Sequence, residues 1–404
     1  MTWIPLRWIA IGIFLFASML NYLDRSLIPA LAPTLEANFH FNHTQYGWIL
    51  SAFSLAYALT APLAGLFIDR VGLNLGAVIA VAAFSSMGAA TGLAVGFRGL
   101  LGIRTAFGVT AAAGLPLFGK ANAMYLEPSE RAFGTAMNQV GISLGLTLAP
   151  LVVAVLTPRY GWQSSFFLCG ALGLVWVPLW LFVAKKKPAK EMAPAEAGAA
   201  TLAELLRDRR VWGLAFGTVF IMSLYTLWTN WTTIYFVRDW NMTGEEANAH
   251  FAWMPPISGG LGGFFGGWLT YRSIRGGTEV VTARLRASWL SAAFLLVTAA
   301  IPFMPTRGLA AVAVSMSFFW SVCISVNLYA LPIDLFGPRR AAFGVAVLTS
   351  AYGLLQAFAS PVIGGMVSHF GFRAVCVTMS ALPLVGVGIL QATTKTSAEA
   401  EAAS

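Results

Sequence analysis

An acid and a base stand side by side in the stretch ASMLNYLDRSLI, as Asp24 and Arg25, within a run that is otherwise almost wholly apolar. A third charge, Arg104, lies inside another such run. One charge at the centre of a bilayer costs about 2.5–3.5 kcal/mol, so such residues persist where they face a bundle interior or a wet cavity. Neighbours on a helix point about 100° apart, so Asp24 and Arg25 need not pair with each other. Arg104 is the natural cation for Asp24, which leaves Arg25 to meet an anion. Its planar fork can give a carboxylate two parallel hydrogen bonds. A proton on Asp24 would weaken its hold on the neighbouring arginine and so link proton and substrate occupancy. The alternative is a structural network in which the three charges only lock helices together.

Other polar side chains recur in apolar surroundings: Asn21 and Tyr22, Tyr57, Asn138 and Gln139, Asn230, Asn327 and Tyr329, and Ser350, Tyr352 and Gln356. Singly, each reads as a helix-to-helix hydrogen bond; together they could line a polar cavity. Lys120, near a helix end, reads as a snorkelling cation. His40, His43, His250 and His369 fall at or near one predicted surface without metal-ligand spacing, so no metal site is expected. Cys169, Cys323 and Cys376 read as small packing residues inside spans. No phosphate-binding glycine loop, catalytic carboxylate pair or nucleophile elbow is present, so neither an enzyme nor a cofactor is expected.

The elements that must carry these residues follow from composition. Hydrophobic residues make up 58% of the 404 and charged residues only 10%, against about a quarter charged in soluble domains. Apolar runs near the ~20 residues needed to cross a bilayer recur at 8–31, 45–68, 74–97, 99–124, 132–156, 163–184, 211–236, 248–270, 285–304, 309–333, 341–367 and 373–392. Alternating barrel-type segments are absent, so the expected fold is an all-α membrane protein of twelve transmembrane helices. The first span opens almost at Met1 with no small-residue cleavage site after it, and is expected to be retained.

Alternating the spans from a cytoplasmic N-terminus places Arg70, Arg131, Lys185 to Lys187, Arg272 and Arg275, among others, inside, and only Arg98, Arg159, Arg238, Arg307 and Arg373 outside. This bias predicts both termini in the cytoplasm. It also accounts for the net charge of +9 without nucleic acid as a partner. The charged, Ala- and Pro-rich stretch 185–210 reads as a cytoplasmic linker between six-helix halves at 1–184 and 211–393, with a tail at 394–404. Pro128, Ala132-Phe133-Gly134 and Gly161 recur 210 residues later as Pro338, Ala342-Phe343-Gly344 and Gly371, which points to duplicated halves. Parallel repeats with a midplane site are a transporter plan.

The stretch GLFIDRVGLN resembles the signature between the second and third helices of the major facilitator superfamily, through Gly65, Asp69, Arg70 and Gly72. The equivalent GGWLTYRSIRGG has Tyr271 at the acid's place. NYLDRS, the RTAFG…ERA region with Arg104, Gly108, Pro116 and Lys120, YTLWTNWTTIYF and NLYALPIDLFGP resemble the anion:cation symporter family of organic-anion and sugar-acid carriers. That resemblance implies a proton-coupled symporter working by alternating access, active as a monomer in the inner (plasma) membrane. It implies Arg25 as the carboxylate or coupling arginine and Asp24 as its protonatable partner. Tyr22, Tyr57, Asn138, Gln139, Tyr329 and Ser350 are the expected pocket residues, and Gly65, Asp69, Arg70 and Gly72 a conformational latch. Ala111 stands where many members have a proton-coupling Glu, which keeps a proton-independent facilitator or exchanger in view. Gly141 replaces a polar side chain of some sugar-acid carriers and implies a smaller or less hydroxylated substrate. An efflux transporter or a non-transporting sensor are further alternatives. The first would favour an acid-lined cavity and the second an appended domain, and the sequence displays neither.

Overall fold

The computed structural model describes residues 6–126, 131–186, 207–336 and 341–401, and among these every regular element is a helix. The chain falls into two compact units, Met1–Ala195 with Phe236–Trp253, and Glu196–Tyr235 with Met254–Ser404. Of the linker expected at 185–210, residues 187–206 lie outside the described residues, as do 127–130 and 337–340, where Pro128 and Pro338 fall.

The first unit holds α1 (Leu6–Phe39), α2 (His43–Val71), α3 (Leu73–Thr91), α4 (Gly96–Ala111), α5 (Gly114–Tyr125), α6 (Arg131–Tyr160) and α7 (Gln163–Lys186). The fourth predicted span is thus two helices, α4 and α5. The second unit holds α8 (Arg209–Ile221) and the start of α9 (Ser223–Trp240). After the short α10 (Gly244–Ala247) and one π turn at Asn248–Ala252 come α11 (Met254–Arg275) and α12 (Val280–Phe294), which tightens to 3-10 turns over Leu295–Phe303. The chain then runs through α13 (Arg307–Phe336), α14 (Ala341–Ser380) and α15 (Leu382–Glu401). The eighth span therefore begins as an α-helix at Met254 rather than at 248, and most of the expected tail at 394–404 is helical.

Nine helical stretches among the described residues are long and apolar enough to cross a bilayer. One, Val347–Thr394, has 48 residues; at ~1.5 Å per residue it would reach more than twice the ~30 Å hydrocarbon thickness. Gly371, at φ 72°, breaks it into the last two of the twelve spans. His43–Val71 and Met254–Arg275, 29 and 22 residues long, complete the set.

The first unit is held by close helix approach and buried rings. Trp176 on α7 donates to the Ile13 carbonyl on α1 at 2.7 Å, and Phe14 meets Trp176 and Trp180 edge-on at 5.8 and 4.7 Å. The three cysteines are buried and unbridged, and Cys323 accepts from Ser291 at 3.2 Å.

Both halves reuse the same turn chemistry. Gly161 and Gly371 share positive φ, at 78° and 72°, and the next residues, Trp162 and Phe372, are both buried. A second correspondence is visible only in three dimensions. His40 and Asn241 both take positive φ, at 52° and 50°. Two residues later, Asn42 and Thr243 each cap a helix and close a capping box with Gln45 and Glu246. The repeat therefore spans more of each half than shared letters reveal.

The segment Phe236–Trp253 is a strap that packs into the first unit. Asn248, wholly buried, donates to the Ala30 carbonyl of α1 at 2.7 Å. Gly244 lies against Thr34 and Pro33.

Candidate functional site

The charged centre forms where α1, α2, α3 and α4 converge. Asp24 and Arg104 are each about 2% exposed, with Oδ1 and Nη1 3.9 Å apart. Neither of these two atoms has a hydrogen-bond partner. At that separation an effective dielectric near 20 gives about 4 kcal/mol of attraction, against a desolvation cost of several kcal/mol per ion. The pair is not a strong clamp. Gly88 on α3 lies so close that a Cβ there would overlap the Asp24 carboxylate.

Arg25 turns to another face, as the helical angle requires. It is half-buried, and its guanidinium carbon lies 4.9 Å from the Phe53 ring centre, 5.2 Å from Tyr57 and 5.5 Å from Tyr22. Arg104 lies 4.3 Å from Phe107 and 5.4 Å from Phe53. One ring, Phe53, therefore serves two cations. Cation–π contacts are worth roughly 0.5–2 kcal/mol each, and they hold a guanidinium without neutralising it. With both arginines and Asp24 ionised, the centre carries one net positive charge.

The other expected pocket residues fall in different places. Tyr22 is half-buried and Tyr57 buried, both at the Arg25 guanidinium. Asn138 on α6 is buried with its side-chain oxygen unpartnered, and the adjacent Gln139 is exposed. Tyr329, half-buried on α13, and Ser350, exposed on α14, belong to the second unit. Asn327, which reads from sequence as a helix-to-helix bond, is one. It accepts from Thr270 at 2.6 Å and donates to the Cys323 and Gly266 carbonyls. Ala111 is buried in apolar core.

Gly141 has a packing reason. A Cβ there would come within 2.7 Å of the Leu15 carbonyl of α1. One turn on, a Cβ at Gly145 would lie 2.8 Å from the Leu23 nitrogen and 3.1 Å from the Tyr22 Cβ. The backbone of α1 fills the space a larger side chain would need, so this glycine carries no information about substrate size.

The motif residues Gly65, Asp69 and Arg70 ride on the last turns of α2, with Gly72 beyond the end at φ 87°, a region that favours glycine. The Asp69 side chain lies outside the described residues, and Arg70 is exposed. Lys120 does not simply snorkel. It donates to the Ile68 carbonyl at 2.9 Å, the same oxygen that takes the Gly72 N–H at 3.0 Å. In the second unit Tyr271 is exposed, with Arg275 over its ring at 5.4 Å, and Arg284 is paired with Asp334.

Sequence reasoning missed Phe53 and Phe107. Phe53 stands four residues before Tyr57, hence on the same helical face, and that spacing was the available signal.

The chain matches the sequence profile of the Major Facilitator Superfamily over residues 14–349. It belongs to that superfamily. It is a multi-pass membrane transporter and not an enzyme. The hexuronate transporter of Escherichia coli K12 is 26% identical over 403 residues, covering 95% of this chain and 93% of that protein. The galacturonate transporter of Dickeya chrysanthemi is 31% identical over 281 residues, covering 65% and 81%. The D-galactonate transporter of Escherichia coli O6:H1 is 22% identical, covering 94% of each chain. In fold, the chain superimposes on a bacterial homologue of the human lysosomal transporter Spinster, solved inward-facing and occupied. The TM-score is 0.82, at 17% identity and 97% coverage of both chains. The hexuronate, galacturonate and galactonate transporters agree with the sugar-acid carriers the sequence resembles.

Proposed function

We propose that this transporter carries a sugar acid of the hexuronate or aldonate class by proton-coupled symport and alternating access. The observation that carries the reading is Arg25 in its ring cage of Tyr22, Phe53 and Tyr57 beside the Asp24–Arg104 pair. The cage orients a guanidinium, and an arginine can grip a carboxylate with two parallel hydrogen bonds. Asn138 supplies a buried acceptor oxygen suited to a sugar hydroxyl; Gln139, Tyr329 and Ser350 are further proposed contacts. Protonation of Asp24 neutralises one partner of Arg104 and so ties proton binding to the charge state of the site. Gly65, Asp69, Arg70 and Gly72 act as the conformational latch. The halves 1–184 and 211–393 are the working bodies, linked through 185–210. The protein acts as a monomer in the inner membrane with both termini cytoplasmic.

The test is galacturonate uptake into proteoliposomes with and without an inward proton gradient, alongside thermal stabilisation of the purified protein by galacturonate. Native protein should accumulate the acid under the gradient. Arg25→Lys keeps the charge but loses the fork, and should weaken stabilisation by galacturonate at least about tenfold in concentration, a loss near 1.4 kcal/mol. Equal response in native and variant would remove Arg25 from the site. The buried apolar Ala111 favours a second reading, a proton-independent exchanger, which predicts counterflow without gradient-driven accumulation.

A further inference from the structure

Asp24 rests on the backbone of α3 at a glycine. A Cβ added to Gly88 would stand 1.7 Å from Asp24 Oδ2 and 2.7 Å from its Cγ. The carboxylate thus fills the volume in which any other residue would begin its side chain. The glycine hydrogen in that place offers at most a weak C–H···O contact, so shape rather than bonding seats the group. Toward α4 the carboxylate stops short of a partner. Asp24 Oδ1 and Arg104 Nη1 are 3.9 Å apart, about 1 Å beyond the length of a charge-assisted N–H···O bond. α3 brings no ionisable side chain, and among the described residues Arg104 is the cation within ion-pair distance of Asp24.

α3 is itself pinned to α7. A Cβ at Gly170 would lie 2.6 Å from the Ala89 Cβ and 2.9 Å from the Ser85 carbonyl oxygen, and one at Gly173 would lie 1.9 Å from the Ser85 Oγ. Helices packed this closely transmit strain rather than absorb it. A methyl at position 88 would therefore displace the mobile partner, the Asp24 side chain. Asp24 is 2% exposed, so water is not its destination and Arg104 is.

We propose that Gly88 is the positioning residue for Asp24: it seats the carboxylate on α3, short of a direct bond to Arg104, and so keeps the charge pair open. This rests on the reading of the chain as a sugar-acid carrier centred on Asp24, Arg25 and Arg104. An open pair leaves α1 and α4 free to shift as the carrier cycles. A closed pair ties them together through charge-assisted hydrogen bonds, the stronger kind. The absent side chain at position 88 is what separates the two conditions.

The experiment is galacturonate counterflow in proteoliposomes, with a melting curve for each protein. Gly88→Ala, Asp24→Asn and the two combined are compared with native protein. Asparagine keeps the shape of aspartate and removes its charge, so it meets the same methyl but forms no ion pair. Gly88→Ala should fold and should lower counterflow at least about tenfold below Asp24→Asn, a barrier difference near 1.4 kcal/mol. The double variant should recover the Asp24→Asn rate within about threefold, the non-additivity expected of two groups in contact. Gly173→Ala, which crowds α3 from α7, is the packing control, and its losses should not be recovered by Asp24→Asn.

A double variant as slow as Gly88→Ala reduces the contact to packing and overturns the proposal. Native counterflow in Gly88→Ala overturns it, because the carboxylate then needs no seat. Loss of a cooperative melting transition in Gly88→Ala overturns it too, because the displaced carboxylate should gain Arg104 rather than unfold the bundle. Equal recovery of Gly173→Ala by Asp24→Asn also counts against it. In each of these cases native counterflow leaves sugar-acid transport standing. Absence of counterflow with galacturonate, glucuronate and galactonate in native protein sinks the transport reading, and this proposal with it.

Discussion

Adjacent residues at the centre of α1 do different work because a helix turns them apart. Asp24 looks toward Gly88 and Arg104, whereas Arg25 enters a ring cage. Asp24→Asn keeps the shape and removes the titrating group. In the proton-coupled reading it should abolish gradient-driven accumulation and leave counterflow within about tenfold of native, a barrier change below 1.4 kcal/mol. Accumulation and counterflow measured in parallel decide it; equal loss of both would make Asp24 structural. The charges were legible in the sequence because ionised groups are rare where the solvent is hydrocarbon. The rings that hold them were not. Phe53 and Phe107 look like any core phenylalanine until the guanidinium beside them is seen. The pairing of His43 Nδ1 with Glu36 Oε1 at 2.7 Å was equally hidden, since a helix–helix turn lies between the two residues.

At the scale of elements, α1 and α6 approach through glycine. In Gly145→Ala the new methyl would lie 2.8 Å from the Leu23 nitrogen, and α1 must shift to admit it. Overpacking of this kind costs about 1–3 kcal/mol, so the melting temperature should fall and Arg25, two residues past Leu23, should be displaced with it. A fluorescence melting curve with galacturonate uptake checks both effects. A second element-scale prediction concerns α12. Glu279 accepts from the Val281 and Thr282 N–H groups at 2.9 and 2.7 Å and caps that helix. Partial burial opposes its charge, yet these bonds and the Thr282 hydroxyl outweigh it and hold its carboxyl below the usual range. Its stabilising contribution is therefore complete above the unfolded carboxyl's pKa and is lost as pH falls through the lowered folded value. Glu279→Ala should cost on the order of 1 kcal/mol near neutral pH, as a lost cap does. The gap in melting temperature between native and variant should close on acidification.

Over the whole molecule, twelve spans and their duplication were readable because hydropathy and the Gly161/Gly371 pair survive in the letters. The second correspondence was hidden because Asn42 with Gln45 and Thr243 with Glu246 share capping chemistry but no identities. The strap was hidden for another reason. Phe236–Trp253 continues an apolar helix, and nothing in its composition announces that Asn248 will reach the Ala30 carbonyl. A chain divided between residues 195 and 196 should give a first fragment that lacks this strap. That fragment alone should digest faster in limited proteolysis than when Glu196–Ser404 is co-expressed with it. Equal protection would show that the strap adds little.

The strap also sets an order of events during synthesis. A ribosome delivers the seven helices of the first unit well before it delivers Asn248, so α1 enters the membrane before the side chain that will bond its Ala30 carbonyl has been translated. Assembly of the first unit therefore finishes only after the linker and the first helices of the second half have been made. Residues 187–206 consequently do more than join two bodies: with the two helices Arg209–Ile221 and Ser223–Trp240, their length sets how long the early half waits before its last piece arrives.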